Sequence, residues 1–137
     1  MPPTDRFVAE RVFRVRYAEA DSMRIVHHSN YLVYFEEGRS EFARLRGQPY
    51  SGFEKAGYFL LVSEVNARYH KPARYEDQIR LYTWVEEFKS RGLTFRYEMV
   101  NADTGELLVT GYTKHICVTQ EGNIAKIPEE WRGWSDI

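Results

Sequence analysis

A single change of hydrophobic period divides this chain and limits what it can fold into. Between Ser29 and Leu45, Tyr31, Tyr34, Phe35, Gly38, Phe42 and Leu45 recur at helical spacing, while Glu36, Glu37, Arg39, Glu41 and Arg44 fall mostly elsewhere. Ser29 or Asn30 is the expected N-cap and Gly47 the expected C′ residue. The early carboxylates and late arginines suit the helix macrodipole. Gly38 lowers helix propensity, so its place on the buried stripe predicts another backbone packed closely against it.

On either side of that helix the period is that of strands. Arg11–Tyr17 alternates, with Phe13, Val15 and Tyr17 on one face. After a short helix or loop around Tyr50–Gly57 come Leu61–Tyr69, ended by Pro72, then Gln78–Phe88, Leu93–Val100 and Leu107–Val118. In the first of these, Leu61, Val65 and Ala67 are expected opposite Glu64, Asn66 and Arg68. Asn101–Glu106 is the turn of a hairpin. Pro128 opens a tail predicted as one helical turn, whose Trp131 and Trp134 are expected to seal a sheet edge or a subunit contact. One long helix cannot flank a parallel sheet of this size. The expected fold is therefore α+β: an antiparallel sheet of about five strands curled around one central helix, with Tyr34, Phe42 and Leu45 in its concave face. A chain of 137 residues with no repeat or linker makes this one domain, residues 1–137.

Charge and cysteine content narrow the function. A net charge of −1 provides no broad field for nucleic acid or an anionic membrane, so any anion must be held locally. Cys117 is the only cysteine, which leaves no internal disulfide and fits a reducing compartment. The opening MPPTDRFVAE has no apolar leader and no segment approaches a membrane span, so a cytoplasmic protein is expected.

The chemistry is concentrated in YAEADSMRIVHHSNYLVYFEEGRSEFARL, Tyr17–Leu45. With Tyr17, Asp21, Val26, His28, Asn30, Tyr31, Glu37 and Arg39 in place, this stretch resembles the opening of the 4-hydroxybenzoyl-coenzyme-A thioesterase family. It is similar above all to small bacterial acyl-coenzyme-A thioesterases, including the kind associated with Tol–Pal gene clusters. YHKPARYEDQI, Tyr69–Ile79, and SRGLTF, Ser90–Phe95, extend the likeness over Phe13–Val118. Relatives usually carry Gly where Arg24 stands. The resemblance implies a hotdog fold and a thioester hydrolase.

Thioester hydrolysis needs a group that attacks or activates water, and donors for the developing oxyanion. A helix N-terminus supplies free N–H groups and partial positive charge. By resemblance, the backbone N–H of His28 polarises the carbonyl and Asp21 is nucleophile or general base, a choice the sequence leaves open. The His28 imidazole could also bond Asp21, orient water or protonate the thiolate; orientation ranks first, because a thiol of pKa ~8.5 leaves with little help. Tyr31 and Phe35 are expected to line the acyl site, with Phe59 and Leu60 setting its depth. Lys89 and Arg91 are the expected phosphate seat for coenzyme A, ahead of Lys71 and Arg74. Coenzyme A is then part of the substrate, with no separate cofactor. No metal is expected either, since His27 and His28 diverge and no cluster completes a site. Two other functions stay open: a non-catalytic acyl-thioester binder, and an enoyl-thioester hydratase, whose Asp and His usually lie closer together. The edge of a long final strand is expected to pair with a copy, giving a homodimer or homotetramer.

Overall fold

A computed structural model describes residues 1–135. Strand β1 (Val8–Arg14) leads through one 3₁₀ turn (Tyr17–Glu19) to helix α1 (His28–Leu45) and the short helix α2 (Tyr50–Lys55). Strands β2 (Tyr58–Tyr69), β3 (Gln78–Phe88), β4 (Gly92–Asn101) and β5 (Leu107–Thr119) follow, and a 3₁₀ segment (Glu129–Ser135) closes the described chain. The five strands form one antiparallel sheet in the order β1-β3-β4-β5-β2. The α+β architecture, with a curled sheet and one long helix, is the one the periodicity predicts.

The helix buries Tyr31, Tyr34, Phe35, Gly38, Phe42 and Ala43. Phe35 stacks on Tyr97 of β4 with ring centroids 4.1 Å apart, and Phe42 meets Phe95 edge-on at 5.4 Å. Withdrawing one such ring from water stabilises the fold by ~1.5–3 kcal/mol, so this seam holds α1 in the sheet's concavity. Two glycines set its depth. A methyl on Gly38 would lie 2.3 Å from Thr83 Oγ1, and one on Gly111 would lie 2.4 Å from the Asn66 carbonyl and 2.9 Å from the Phe35 ring. The neighbour at Gly38 is thus a side chain of β3 rather than a backbone.

Several expectations fail for reasons of packing. Leu45 is 52% exposed, because in the last turn of α1 Phe42 and Ala43 take the buried face while Leu45 lies with Arg44 on the exposed one. The N-cap is His27, whose Nδ1 accepts from the Ser29 N–H at 3.2 Å; Ser29 and Asn30 are already helical. Gly47 does take the left-handed conformation just after α1, at φ 75°. Tyr17 lies outside β1 and is exposed, packed edge-on against Tyr75. Trp131 and Trp134, expected at a sheet edge or a subunit contact, are core residues of the chain itself, Trp131 packed against Phe53 and Trp134 against Phe42 and Phe95. The final strand β5 is interior, so the exposed edges are β1 and β2. On β2, Leu61, Val62, Val65 and Tyr69 are exposed, Leu61 at 53%.

Candidate active site

The loop between the first 3₁₀ turn and α1 doubles back on itself and is pinned at both ends. Ala20 bridges to Val26 and Ile25 to Arg74, while the Val26 N–H reaches the Ala73 carbonyl at 2.8 Å. The Glu19 carbonyl accepts from the His27 N–H at 3.0 Å and from Asn30 Nδ2 at 2.9 Å, which ties the start of this loop to the start of α1. The Glu19 carboxylate faces inward at 7% exposure and accepts from the Arg16 N–H and Nε, each at 2.9 Å, and from the Tyr34 hydroxyl at 2.8 Å. Burial opposes its ionisation, but these hydrogen bonds prevail and hold its carboxyl below the usual range. Sequence reasoning missed Glu19. The available signal was its place three residues after Arg16, a spacing at which an arginine reaches a carboxylate in a helical turn.

Asp21 is exposed and sits in this loop. Its Oδ1 accepts from the Met23 N–H at 2.8 Å and the Ile25 N–H at 3.4 Å, an Asx-type closure, while Oδ2 has no partner among the described residues. Its backbone joins the same turn, with Asp21 N–H to the Ile25 carbonyl and Arg24 N–H to the Asp21 carbonyl, both at 2.9 Å. Arg24 takes φ 65°, the left-handed region that favours glycine. The loop therefore keeps the backbone that a glycine would adopt without strain.

At the helix start the His27 and His28 rings lie 4.2 Å apart. Ser29 Oγ is 2.8 Å from the same His27 Nδ1 that caps the helix. The His28 carbonyl accepts from the Tyr69 hydroxyl of β2 at 3.3 Å. Its backbone N–H has no acceptor, and its imidazole has no bond to Asp21, among the described residues. Of the expected acyl-site residues, Tyr31 and Phe35 lie in the core, and the Tyr31 hydroxyl accepts from the Ala73 N–H at 3.0 Å.

Of the clefts formed by the described residues, two matter here, and neither is lined by Asp21 or His28. One, of about 340 Å³, lies at the β3–β4 turn and is lined by Lys89, Arg91, Lys114, Ser63 and His115 among others. Lys89 Nζ is 3.0 Å from Glu87, whereas Arg91 reaches only Ser90 Oγ, at 3.4 Å. Lys114 is a cation of this cleft that sequence reasoning did not name; Phe95↔Thr113 and Thr94↔Lys114 pairing brings it beside the turn from β5. Lys71 is engaged by Glu106 at 2.6 Å and lies outside the cleft, as does Arg74. Leu60 lines the second cleft, of about 330 Å³, between α1, α2 and β2. Among the described residues, no three of His, Cys, Asp and Glu converge as metal ligands would.

Comparison with known proteins places this geometry. The model of the thioesterase-like superfamily matches residues 15–135. YneP of Bacillus subtilis (strain 168), which carries an acyl-CoA thioesterase assignment, is 38% identical over 114 residues, 83% of this chain and 82% of that protein. The crystal structure of the hypothetical protein TT1821 from Thermus thermophilus superposes with TM-score 0.84 at 38% identity, covering 89% of this chain and 92% of that one. The DHNA-CoA thioesterase of Staphylococcus aureus superposes with TM-score 0.81 at 32% identity, covering 88% and 79%. The curled sheet around one helix is the hotdog arrangement of such thioesterases.

Proposed function

This chain belongs to the thioesterase-like superfamily and is a thioester hydrolase, and on that premise we propose that it cleaves acyl-coenzyme-A with Asp21 and the start of α1 acting on the thioester carbonyl. The observation that carries this reading is the unpaired His28 N–H at the positive end of an 18-residue helix, tied through Glu19 to the loop that bears Asp21. A carbonyl oxygen placed at that N–H gains more from it as charge develops, on the order of 3 kcal/mol per donor. Asp21 has one oxygen committed to its own loop and one free. The free Oδ2 either attacks the carbonyl carbon or takes a proton from the attacking water. When water attacks, the bond to sulfur breaks and the thiolate of coenzyme A leaves the free acid; when Oδ2 attacks, the thiolate leaves an acyl–Asp21 anhydride, which a water then hydrolyses to the free acid and the restored carboxylate.

The cleft at the β3–β4 turn supports a seat for the coenzyme A phosphates, with Arg91 and Lys89 as the expected donors and Lys114 beside them. Its apolar wall of Leu93, Ile116 and Ile124 can shield part of the nucleotide. The exposed Leu61, Val62 and Val65 on the free edge of β2 support pairing with a second copy, giving a homodimer or a tetramer of such dimers. Among the described residues no helix is long and apolar enough to cross a membrane; with Cys117 buried and unpaired, a cytoplasmic setting is part of the proposal.

Asp21→Asn is the discriminating variant. The asparagine oxygen can still accept from the Met23 and Ile25 amides, so the loop closure survives while the charge is lost. Thiol release measured over aliphatic and aryl acyl-coenzyme-A esters should fall by about 10²–10⁴-fold in this variant with the fold intact. Undiminished hydrolysis would reduce Asp21 to a loop cap.

A further inference from the structure

The second cleft holds a cation that forms no salt bridge among the described residues. Arg39 of α1 is half-buried at this cleft, whose other lining residues are Glu36, Ser40, Tyr50, Glu54 and Leu60. No carboxylate oxygen comes within 4.0 Å of its guanidinium among the described residues. One of its N–H groups is donated to the Tyr97 hydroxyl at 3.1 Å, a neutral acceptor. A guanidinium withdrawn from water against neutral groups is costly, and such charges are normally paired. Tyr50 lines the same cleft, and its hydroxyl is buried without a hydrogen-bond partner among the described residues. One donor at this cleft thus lacks an acceptor, and beside it a guanidinium has only a neutral one among the described residues.

Arg39 is also held in place from behind. Arginine only donates, so the Tyr97 oxygen accepts from it and the Tyr97 proton goes to Thr113 Oγ1, 2.5 Å away. The Thr113 proton then goes to His115 Nε2, at 2.8 Å. His115 can accept it because burial, with the nearby Arg39 charge, pushes its pKa down to about 3 and keeps it neutral. The chain has one direction and ends with the guanidinium facing the cleft. Tyr97 is itself fixed by its stack on Phe35.

We infer that this cleft is a binding site for a small monocarboxylic acid, whose carboxylate pairs with Arg39 and accepts from the Tyr50 hydroxyl. A planar carboxylate suits the fork of a guanidinium. Leu60 and the Tyr50 ring receive an apolar body of limited size, and about 330 Å³ is at the small end for a ligand site. Glu36 and Glu54 are exposed at the rim, and their charge, weakened by solvent, opposes a multiply charged phosphate more than a monoanion that pairs with Arg39. The site is remote from the proposed chemistry: Arg39 lies eleven residues beyond His28, about 16 Å along the helix. The inference rests on the hydrolase reading for the source of its ligand, since thioester hydrolysis releases a carboxylic acid.

Calorimetric titration of the intact protein with benzoate, hexanoate and inorganic phosphate tests it. The expected result is saturable binding of one acid per chain by benzoate or hexanoate but not phosphate, weakened at least tenfold in Arg39→Gln, clearly weakened in Tyr50→Phe and kept in Asp21→Asn. If Arg39→Gln does not fold, Tyr50→Phe decides alone, because that hydroxyl has no partner to lose. No saturable binding, binding indifferent to Tyr50→Phe, or binding lost in Asp21→Asn overturns the site. No thioester is present in this titration, so a protein that binds acid without hydrolysing thioesters sinks the hydrolase reading alone, and an active one that binds none sinks only this inference.

Discussion

The hydroxyl of Tyr34, buried on the inner face of α1, donates to the carboxylate of Glu19 at 2.8 Å and so joins the core to the loop that carries Asp21. Because that carboxylate titrates below its ordinary 4.5, its contribution to stability is fully present above about pH 4.5 and is lost as pH falls through the lower folded value. Glu19→Gln should destabilise the protein by about 1–3 kcal/mol near neutral pH, with the gap to wild type closing below pH 4.5. Urea melts at several pH values read this directly. A gap independent of pH would show that the charge of Glu19 is not what matters.

Arg24 holds a left-handed backbone at φ 65° in the turn that closes on Asp21. Replacing it with glycine removes the clash of Cβ with the backbone, at some gain in unfolded-state entropy. Arg24→Gly should stabilise by about 1 kcal/mol. A lower urea midpoint would mean that the arginine side chain contributes more than its backbone strain removes.

Gly38 and Thr83 should couple strongly. Alanine at Gly38 gains about 1 kcal/mol of helix propensity, but its methyl would sit 2.3 Å from Thr83 Oγ1, on a buried β-branched side chain that cannot swing away. Gly38→Ala should therefore destabilise by about 1–2 kcal/mol alone and by much less, or not at all, in a Thr83→Ala background. Equal effects in both backgrounds would place the limit elsewhere, in the Leu81 side chain 3.0 Å from the same point.

Among the described residues Arg91 of the β3–β4 cleft has no carboxylate partner, whereas Lys89 is engaged by Glu87. Arg91→Gln should raise KM for acyl-coenzyme-A about tenfold at low salt, less as salt screens the contact, with little change in kcat. A truncated thioester that lacks the nucleotide should show no difference between variant and wild type. A matching loss on the truncated substrate would remove the phosphates from this cleft.

What the residues alone determined about this protein was its periodic part. The stripe of Tyr31, Tyr34, Phe35 and Phe42 and the buried faces of β3, β4 and β5 are local patterns, because each such element needs one continuous apolar face. The inward face expected of Leu61 and Val65 on β2 is instead exposed. The motif around Asp21 and His28 was equally legible as a stretch of chain. What the tertiary structure alone decided concerns partners far apart in sequence. That β2 rather than β5 is an edge depends on which strands pair across the crossovers, and that Trp131 and Trp134 fill the end of the core depends on where α1 stops. The same holds at the polar sites. Burial of Glu19 against Tyr34, capping by His27 in place of Ser29, and an Arg39 left without a carboxylate all follow from the competition of the whole chain for a limited set of donors and acceptors, which no window of sequence contains.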